Sequence, residues 1–298
     1  MSTARRPLAR AGLGLALAFL ASRLTGWARV AVIGALFGAG PELDAYFAAF
    51  RIPDAVFQLA AAGALSSALV PVLSGLFATG QEARAWRVAG SVAVLILGVV
   101  GLLALGAGVA APSILPLVAP GFPPERQALA VDLTRILLLA TVLLTLGAVA
   151  TAVLNSQERF LAAGFASVAY NGAIIGGALL LAQPFGITGV AIAVVVGAAA
   201  HLAIQLPQLV GRARHRIGLD LRDGAVGETI GLLVPRALGL GASQVVFLVN
   251  TSLASVLGPG AVSVYTVAFT ILQIPIGLVG VPLGIVLLPS LAAAQARG

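Results

Sequence analysis

The sequence predicts an all-α, polytopic integral membrane protein with about eight transmembrane helices. Three observations support this fold class: 60% of the residues are hydrophobic, only 9% are charged, and the mean hydropathy is +1.08. About one quarter of the residues of a soluble domain are charged. A soluble fold could not bury this much apolar surface, so most of the surface is expected to face lipid.

Eight apolar segments are long enough to cross a membrane, because a hydrocarbon core of about 30 Å needs roughly 20 residues as a helix. A helix also satisfies every backbone hydrogen-bonding group within one segment, which lipid cannot do. The predicted spans are 11–38, 43–78, 86–112, 127–153, 161–182, 186–210, 226–256 and 261–293. Turn residues separate them, as in Gly-Ala-Gly-Pro at 38–41 and Gly-Pro-Gly at 258–260.

The first span follows three arginines, as the apolar region of a signal peptide does. Its apolar run continues past Arg23 without a convincing cleavage site, so we interpret it as a transmembrane helix. The orientation follows from the arginines, which supply every positive charge because the chain has no lysine. The loops on one side contain Arg5, Arg6, Arg10, Arg84, Arg87, Arg159, Arg212, Arg214, Arg216, Arg222 and Arg297.

The opposite loops contain only Arg126. The positive-inside rule therefore predicts that both ends of the chain are cytoplasmic. Because the arginines act as topology signals, the net charge of +7 does not indicate a nucleic-acid partner. The basic stretch 212–222 is interpreted as a stop-transfer loop, with a polybasic lipid-binding patch as the alternative.

An internal repeat predicts the domain organisation. The glycines at 38 and 40 are followed by an apolar stretch and Leu-Val-Pro at 69–71, and this order recurs from Gly258 to Leu-Leu-Pro at 287–289. Spans one and two then correspond to spans seven and eight, which gives a parallel repeat of six helices, with chance similarity as the alternative. We therefore expect a six-helix lobe at 1–224, including a cytoplasmic loop at 211–224. Residues 225–298 would form the first two helices of an incomplete second lobe.

Five arginines fall within the predicted spans: Arg23, Arg29, Arg51, Arg135 and Arg236. A charge at the centre of a bilayer costs roughly 2.5–3.5 kcal/mol on insertion scales, so such a residue usually faces a cavity or a partner. Arg23 and Arg29 point about 240° apart on an ideal helix, so sharing one cavity requires a bend, which Gly26 permits. For Arg23, a role facing a ligand competes with a structural ion pair.

The carboxylates near these arginines leave several interpretations open. Asp44 is a candidate site residue, but it also stands where a carboxylate would cap the second span. Asp54 is three residues from Arg51, so an ion pair competes with a cavity role for Arg51. Asp132 and Arg135 have the same spacing and are expected to neutralise each other. Arg236 has no acidic residue nearby and needs a partner from another helix.

Prolines interrupt the second and eighth spans, the two that the repeat relates. They are Pro53, Pro71, Pro275, Pro282 and Pro289. Proline removes a helical hydrogen bond and bends the helix, and broken helices in matching halves indicate a substrate path. No nucleotide-binding loop, metal-ligand motif or nucleophile motif occurs, and the chain has no cysteine. We therefore expect a protein that is not an enzyme and needs no cofactor or metal.

The sequence resembles the MurJ (MviN) family of lipid II flippases, in the multidrug/oligosaccharidyl-lipid/polysaccharide exporter superfamily. The resemblance is strongest in SRLTGWAR at 22–29, FGAG at 37–40, DAYFAAFRIP at 44–53 and GALSSALVP at 63–71. Weaker matches continue to LPS at 288–290, so the resemblance covers essentially the whole chain. Family members usually continue through a complete second lobe, which agrees with an incomplete copy in this chain.

The resemblance implies a flippase that moves an undecaprenyl-diphosphate-linked glycolipid, lipid II, from the inner to the outer leaflet of the bacterial inner membrane by alternating access. It implies Arg23, Arg29, Asp44 and Arg51 as substrate-binding residues, with arginines contacting the diphosphate. Membrane lipids and other cell-wall synthesis proteins are the remaining expected partners.

Five residues depart from the family's charge pattern. Val30, Phe57-Gln58, Ala62 and Thr270 stand where charged residues are expected. The alternatives are therefore a related exporter of another polyprenyl-linked oligosaccharide or polysaccharide precursor, or a degenerate membrane scaffold that transports nothing. A drug exporter is less consistent with arginines, because a cationic drug requires membrane carboxylates.

Overall fold

The computed structural model describes residues 5–60, 64–210 and 219–276, and this part of the chain contains helices and no β-strand. The helices are α1 (Arg5–Phe37), α2 (Pro41–Ala60), α3 (Ala64–Ala78), α4 (Glu82–Val118), α5 (Pro124–Ser156), α6 (Phe160–Ala203), α7 (Leu206–Val210), α8 (Gly224–Ser255) and α9 (Ala261–Pro275). The predicted all-α class is confirmed.

Five helical segments among the described residues are long and apolar enough to cross a membrane. α2 and α3 lie within the predicted second span, and residues 61–63 between them lie outside the described residues. The predicted eighth span is described only to residue 276, and Pro282 and Pro289 lie outside the described residues. Two further predicted spans are joined in α6, a helical segment of 44 residues.

α6 folds back on itself at Gly186, where the backbone has φ 57° and ψ −144°. This conformation is accessible to glycine because it has no Cβ. A Cβ added at Gly177 would meet Ala193, and one added at Gly197 would meet Ile174. These contacts pair residues at equal distances before and after the turn, so the two halves form an antiparallel helical hairpin. The halves occupy the predicted spans 161–182 and 186–210.

The loops divide into two ends of the helix bundle. At one end the backbone N–H of Gly121 donates to Ser255 Oγ, at 3.1 Å, which joins the loop before α5 to the end of α8. At the other end the side chain of Arg84 contacts Asp223, which joins α4 to the start of α8. We call the end with loops 38–40, 119–123 and 256–260 the arginine-poor end. The end with loops 79–81, 157–159 and 219–223 is the arginine-rich end.

Two clusters of buried apolar side chains hold the bundle together. The first lies towards the arginine-poor end, where α2 packs against α4, α5 and α6 through residues such as Leu43, Leu115 and Leu133. The second lies towards the arginine-rich end, where Leu69 and Leu73 of α3 pack against α4 and α5. α2 and α5 therefore form the centre of the described structure.

The predicted bend of α2 has a specific partner. Pro53 has no N–H, so the carbonyl of Ala49, four residues earlier, loses its helical donor. The hydroxyl of Thr134 on α5 has one hydrogen, which it shares between the carbonyl of Ala130 in its own helix, at 2.7 Å, and the carbonyl of Ala49, at 3.2 Å. Thr134 is fully buried. A hydroxyl from a neighbouring helix thus lies within donating distance of the carbonyl that proline leaves free, as membrane interiors require.

Candidate functional site

The candidate site is a cavity of about 210 Å³ between α1, α2, α6 and α9, which we call the central cavity. Its polar lining consists of Arg29, Tyr46, Arg51, Asp54, Tyr170, Thr266 and Thr270. The bent helix α2 contributes Tyr46, Arg51 and Asp54, and α9 contributes the two threonines. The cavity therefore lies between helices that the repeat assigns to different lobes.

Arg29 enters the central cavity from α1. Its guanidinium carbon lies 5.6 Å from the centroid of the Tyr170 ring, a cation–π distance. α1 is held beside α6 at this level because Asn171 Nδ2 donates to the carbonyl of Ser22, at 3.5 Å, and because Asn171 packs next to Gly26. No acidic side chain lies within 4.0 Å of Arg29 among the described residues. Its charge is therefore available to an anion.

Arg51 connects α2 to both α8 and α9. Its Nε donates to Thr251 Oγ1 at 2.8 Å and its Nη2 donates to Thr266 Oγ1 at 3.0 Å. The guanidinium also lies over the ring of Phe247, at 5.6 Å. The ion pair with Asp54, one of the two interpretations of Arg51, is not formed within 4.0 Å in the described structure, since the guanidinium turns towards neutral hydroxyls instead. The structure thus leaves the charge of Arg51 without a direct carboxylate contact in the described part of the chain.

Arg23 is exposed and lines a second cavity of about 510 Å³ between α1 and α9, the side cavity. Arg29, Val30 and Thr270 line both cavities, so the two are adjacent. The structure thereby brings Arg23 and Arg29 to one continuous region despite their angular separation on an ideal helix. It places Arg23 at the rim and Arg29 further inside.

Asp44 lies in neither cavity. Its side chain is fully buried and accepts hydrogen bonds from the backbone N–H of Gly260 at 2.6 Å, the N–H of Ser263 at 2.8 Å and the hydroxyl of Ser263 at 2.6 Å. These are donors at the N-terminus of α9, where a carboxylate is favourable. Direct substrate contact by Asp44 does not fit this burial, and the helix that it caps is α9 rather than its own.

The close approach at this contact requires glycine at 260. The residue has φ 89°, and a Cβ there would meet the carbonyl of Ala39. The two glycine-containing loops of the predicted repeat, at 38–40 and 258–260, therefore touch each other. Asp44 then connects their helices, so the arginine-poor end of the central cavity is closed by direct contact.

The remaining arginines of the predicted spans have other partners. Arg135 Nη1 lies 3.5 Å from Asp132 Oδ1, so the expected pair is present, although half of the arginine side chain and 71% of the aspartate side chain are exposed. Arg236 Nη1 donates to the carbonyl of Ser67 at 2.6 Å, so its partner does come from another helix. Among the described residues, no group of three or more His, Asp or Glu side chains could hold a metal ion.

Sequence reasoning missed the neutral members of the site. Tyr170, Thr251, Thr266 and Ser263 contact Arg29, Arg51 or Asp44, but uncharged residues in an apolar helix carry no signal of their own. The repeat offered one usable clue, because it pairs the loop at 38–40 with the loop at 258–260. It did not predict that these loops touch.

Comparisons with known proteins agree with this architecture. A family model described as lipid II flippase MurJ matches residues 33–298. The chain is 36% identical to the lipid II flippase MurJ of Burkholderia cenocepacia, over 93% of this chain and 55% of that protein. It is 30% identical to the probable lipid II flippase MurJ of Buchnera aphidicola, over 96% of this chain and 57% of that protein. The chain thus spans little more than half the length of these relatives.

Solved structures share the fold. A structure described as lipid II flippase MurJ in an inward closed conformation has a TM-score of 0.73 at 23% identity, over 89% of this chain and 55% of that one. An inward-facing multidrug resistance MATE family transporter of the MOP superfamily has a TM-score of 0.68 at 19% identity, over 86% of this chain and 58% of that one. Since the family model covers most of the residues, this chain belongs to the MurJ family of lipid II flippases.

Proposed function

We propose that this chain binds and translocates lipid II, an undecaprenyl-diphosphate-linked glycolipid, from the inner to the outer leaflet by alternating access. The observation that supports this proposal most directly is that Arg29 and Arg51 line one cavity with no carboxylate within 4.0 Å of either among the described residues. Arg23 stands at the rim of the adjoining side cavity. The relatives named as lipid II flippases support the same substrate.

The chemistry of the guanidinium group suits a diphosphate. Arginine stays charged in a dry site, and its planar donors can bind two phosphate oxygens at once. A buried charge is costly without a partner, so an arginine paired only with hydroxyls and an aromatic ring favours an incoming anion. Asp54 also lines the central cavity and offsets part of the positive charge. Two arginines against one carboxylate leave the cavity net positive.

The proposed orientation places the arginine-rich end in the cytoplasm, with the N-terminus on that side, in a bacterial inner membrane. The clustering of arginines in alternate loops supports it. In this orientation the contact of Asp44 with α9 closes the outer side, and the side cavity between α1 and α9 offers a route for a lipid headgroup from the inner leaflet. The division into a lobe at 1–224 and the start of a second lobe at 225–298 remains part of this proposal.

Binding by the purified chain tests the proposal. Arg29→Gln should weaken the binding of undecaprenyl-diphosphate-linked disaccharide at least tenfold, because a charge-assisted bond to phosphate contributes about 1.5–3 kcal/mol. The measurement is native mass spectrometry of the chain in detergent with increasing lipid. Arg126→Gln is the matched control, since Arg126 packs on Phe122 in the loop region and lines neither cavity. Equal binding by wild type and Arg29→Gln would contradict a diphosphate site at the central cavity.

A second candidate substrate follows from two cavity residues. Val30 and Thr270, which depart from the family's charge pattern, line both the central and the side cavity. Neutral residues there favour a related polyprenyl-diphosphate carrying a different sugar. Competition between the two lipids in the same assay decides between them: preference for the lipid with the peptidoglycan disaccharide supports lipid II, and preference for the other supports the related exporter.

A further inference from the structure

A third opening lies on the surface of the bundle between α4 and α5, away from both cavities. It is a groove of about 430 Å³, and its lining includes Gly101, Leu105 and Gly108 of α4 and Arg135, Leu139 and Val142 of α5. Leu105 and Leu139 are 68% and 60% exposed, so the groove faces outward from the described bundle. The absence of side chains at the two glycines creates its depth.

The position of Arg135 in the membrane follows from the charges on its helix. No charged residue occurs between Ile136 and Leu154, and these 19 residues span about 28 Å as a helix, which is close to the thickness of a hydrocarbon core. Arg135 therefore lies at the membrane boundary of the arginine-poor end. On α4, Gly108 lies at the same level, because its carbonyl accepts a hydrogen bond from Arg135 Nε.

The groove consequently has a direction. Arg135 and Gly108 lie at its boundary end, and Val142 and Gly101 lie seven residues, or about two turns, closer to the membrane centre on their respective helices. A cation at the boundary followed by an apolar channel towards the centre matches a phospholipid, whose phosphate lies at the boundary and whose acyl chain points inward.

The contacts of Arg135 leave donors for such a phosphate. Its Nε donates to the carbonyl of Gly108 at 3.2 Å, which fixes the guanidinium at the mouth of the groove. Asp132 is 3.5 Å away and largely exposed, and exposed pairs of this kind contribute little. Nη2 has no hydrogen-bond partner in the described residues. An arginine at the arginine-poor end also opposes the positive-inside pattern, so topology does not explain it.

We propose that this groove is a binding site for an anionic phospholipid of the leaflet at the arginine-poor end, with the phosphate on Arg135 and one acyl chain between α4 and α5. The site is separate from the proposed transport path, and its occupancy does not depend on lipid II. A single arginine near a membrane surface contributes on the order of a fivefold preference for anionic lipid.

Native mass spectrometry of the purified chain with dioleoyl phosphatidylglycerol or dioleoyl phosphatidylcholine tests the site. Wild type should retain one phosphatidylglycerol in preference to phosphatidylcholine. Arg135→Gln should lower phosphatidylglycerol binding about fivefold and remove the preference. Gly101→Leu should weaken the binding of both lipids, because the leucine side chain fills the groove. The helix should tolerate this change, since a Cβ at Gly101 meets no atom within 4 Å.

Two control variants separate the groove from general effects. Arg126→Gln removes another arginine near the same end, and Gly106→Leu enlarges an exposed glycine of α4 outside the groove. Both should bind phosphatidylglycerol as wild type does. Unchanged phosphatidylglycerol binding by Arg135→Gln and Gly101→Leu would overturn the proposal. Equal losses of binding in the two controls would also overturn it, because the lipid would then respond to any loss of surface charge or any added side chain.

Discussion

Inside this apolar bundle, each buried charged or polar group depends on a few specific hydrogen-bond partners. Arg51 donates to two threonine hydroxyls, and Asp44 accepts hydrogen bonds from the backbone of α9. The carbonyl of Ala49 accepts from Thr134. The arginines could be found from the sequence because a charge in an apolar run is conspicuous. Their partners could not be found in this way, because the sequence does not show whether a threonine in a membrane helix bonds to its own helix or to a neighbouring one.

Thr134 provides a test at this scale. Thr134→Val should lower the free energy of unfolding by about 0.6–2 kcal/mol, because the buried carbonyl of Ala49 loses its donor next to Pro53. Unfolding of the chain by SDS in mixed micelles measures the change. Thr145→Val is the control: Thr145 is equally buried but donates only to Thr141, whose carbonyl lies in the same helix. A loss no larger than that of the control would show that the Ala49 carbonyl has another donor.

Whole helices were predicted with mixed success. The apolar runs at 161–182 and 186–210 correspond to the two halves of α6 because Gln-Pro-Phe-Gly at 183–186 carries a visible turn signal. The predicted second span, 43–78, contains α2 and α3, and residues 61–63 between them lie outside the described residues. Helix ends are set by local backbone geometry and tertiary contacts that hydropathy does not contain.

The start of α8 shows how one helix is fixed to another. Asp223 accepts hydrogen bonds from the backbone N–H of Ala225, at 2.9 Å, and from Arg84 Nε and Nη2, at 2.9 and 2.7 Å. The hydrogen bonds from Arg84 lower the pKa of Asp223 from its ordinary value of 3.8 to about 2. The ionised form is therefore the one that the fold favours, and this pair holds α8 against α4.

A pH dependence follows from that shift. A carboxyl group with a lowered pKa in the folded state stabilises the protein above the ordinary pKa, and the contribution is lost as pH falls through the folded value. The stability difference between wild type and Asp223→Asn should be constant from pH 8 to about 5 and should shrink between pH 4 and 2. Thermal unfolding in detergent measures it.

Asp220→Asn is the control for this series, because Asp220 lies in the same loop and accepts the backbone N–H of Arg222 without forming an ion pair with a described residue. Its effect should be smaller than that of Asp223→Asn from pH 8 to about 5. A difference for Asp223→Asn that grows as pH falls would contradict the assigned role of the ionised carboxylate.

At the scale of the whole molecule, one contact between the two predicted halves lies at the arginine-poor end. It consists of Asp44 with Gly260 and Ser263, and Val262 is completely buried there. The halves also meet further along the bundle, where Arg51 donates to Thr251 and Thr266. Membrane topology and a six-helix unit could be argued from composition and repeats. The contact at the arginine-poor end could not be predicted, because the repeat shows that the two loops are related by symmetry but gives no distance between them.

Cysteine labelling tests this closure, and the chain contains no cysteine of its own. Val262→Cys should be resistant to a maleimide reagent from either side of the membrane. Thr270→Cys, which lines both cavities, should be labelled from the side of the arginine-rich end. Adding Asp44→Ala to Val262→Cys should raise its labelling rate severalfold, since three hydrogen bonds across the contact are lost. An unchanged rate would show that Asp44 does not hold this end closed.

The pairing of Asp44 with peptide N–H groups of α9 has a consequence for movement. The Asp44 side chain has no cationic side chain within 4.0 Å in the described residues, so separating α2 from α9 would leave a buried polar group without its hydrogen-bond donors. Water must replace those donors as they leave. Parting of the two helices is therefore coupled to entry of water from the adjacent aqueous phase, and dehydrating conditions such as high osmolyte concentration should favour the shut form.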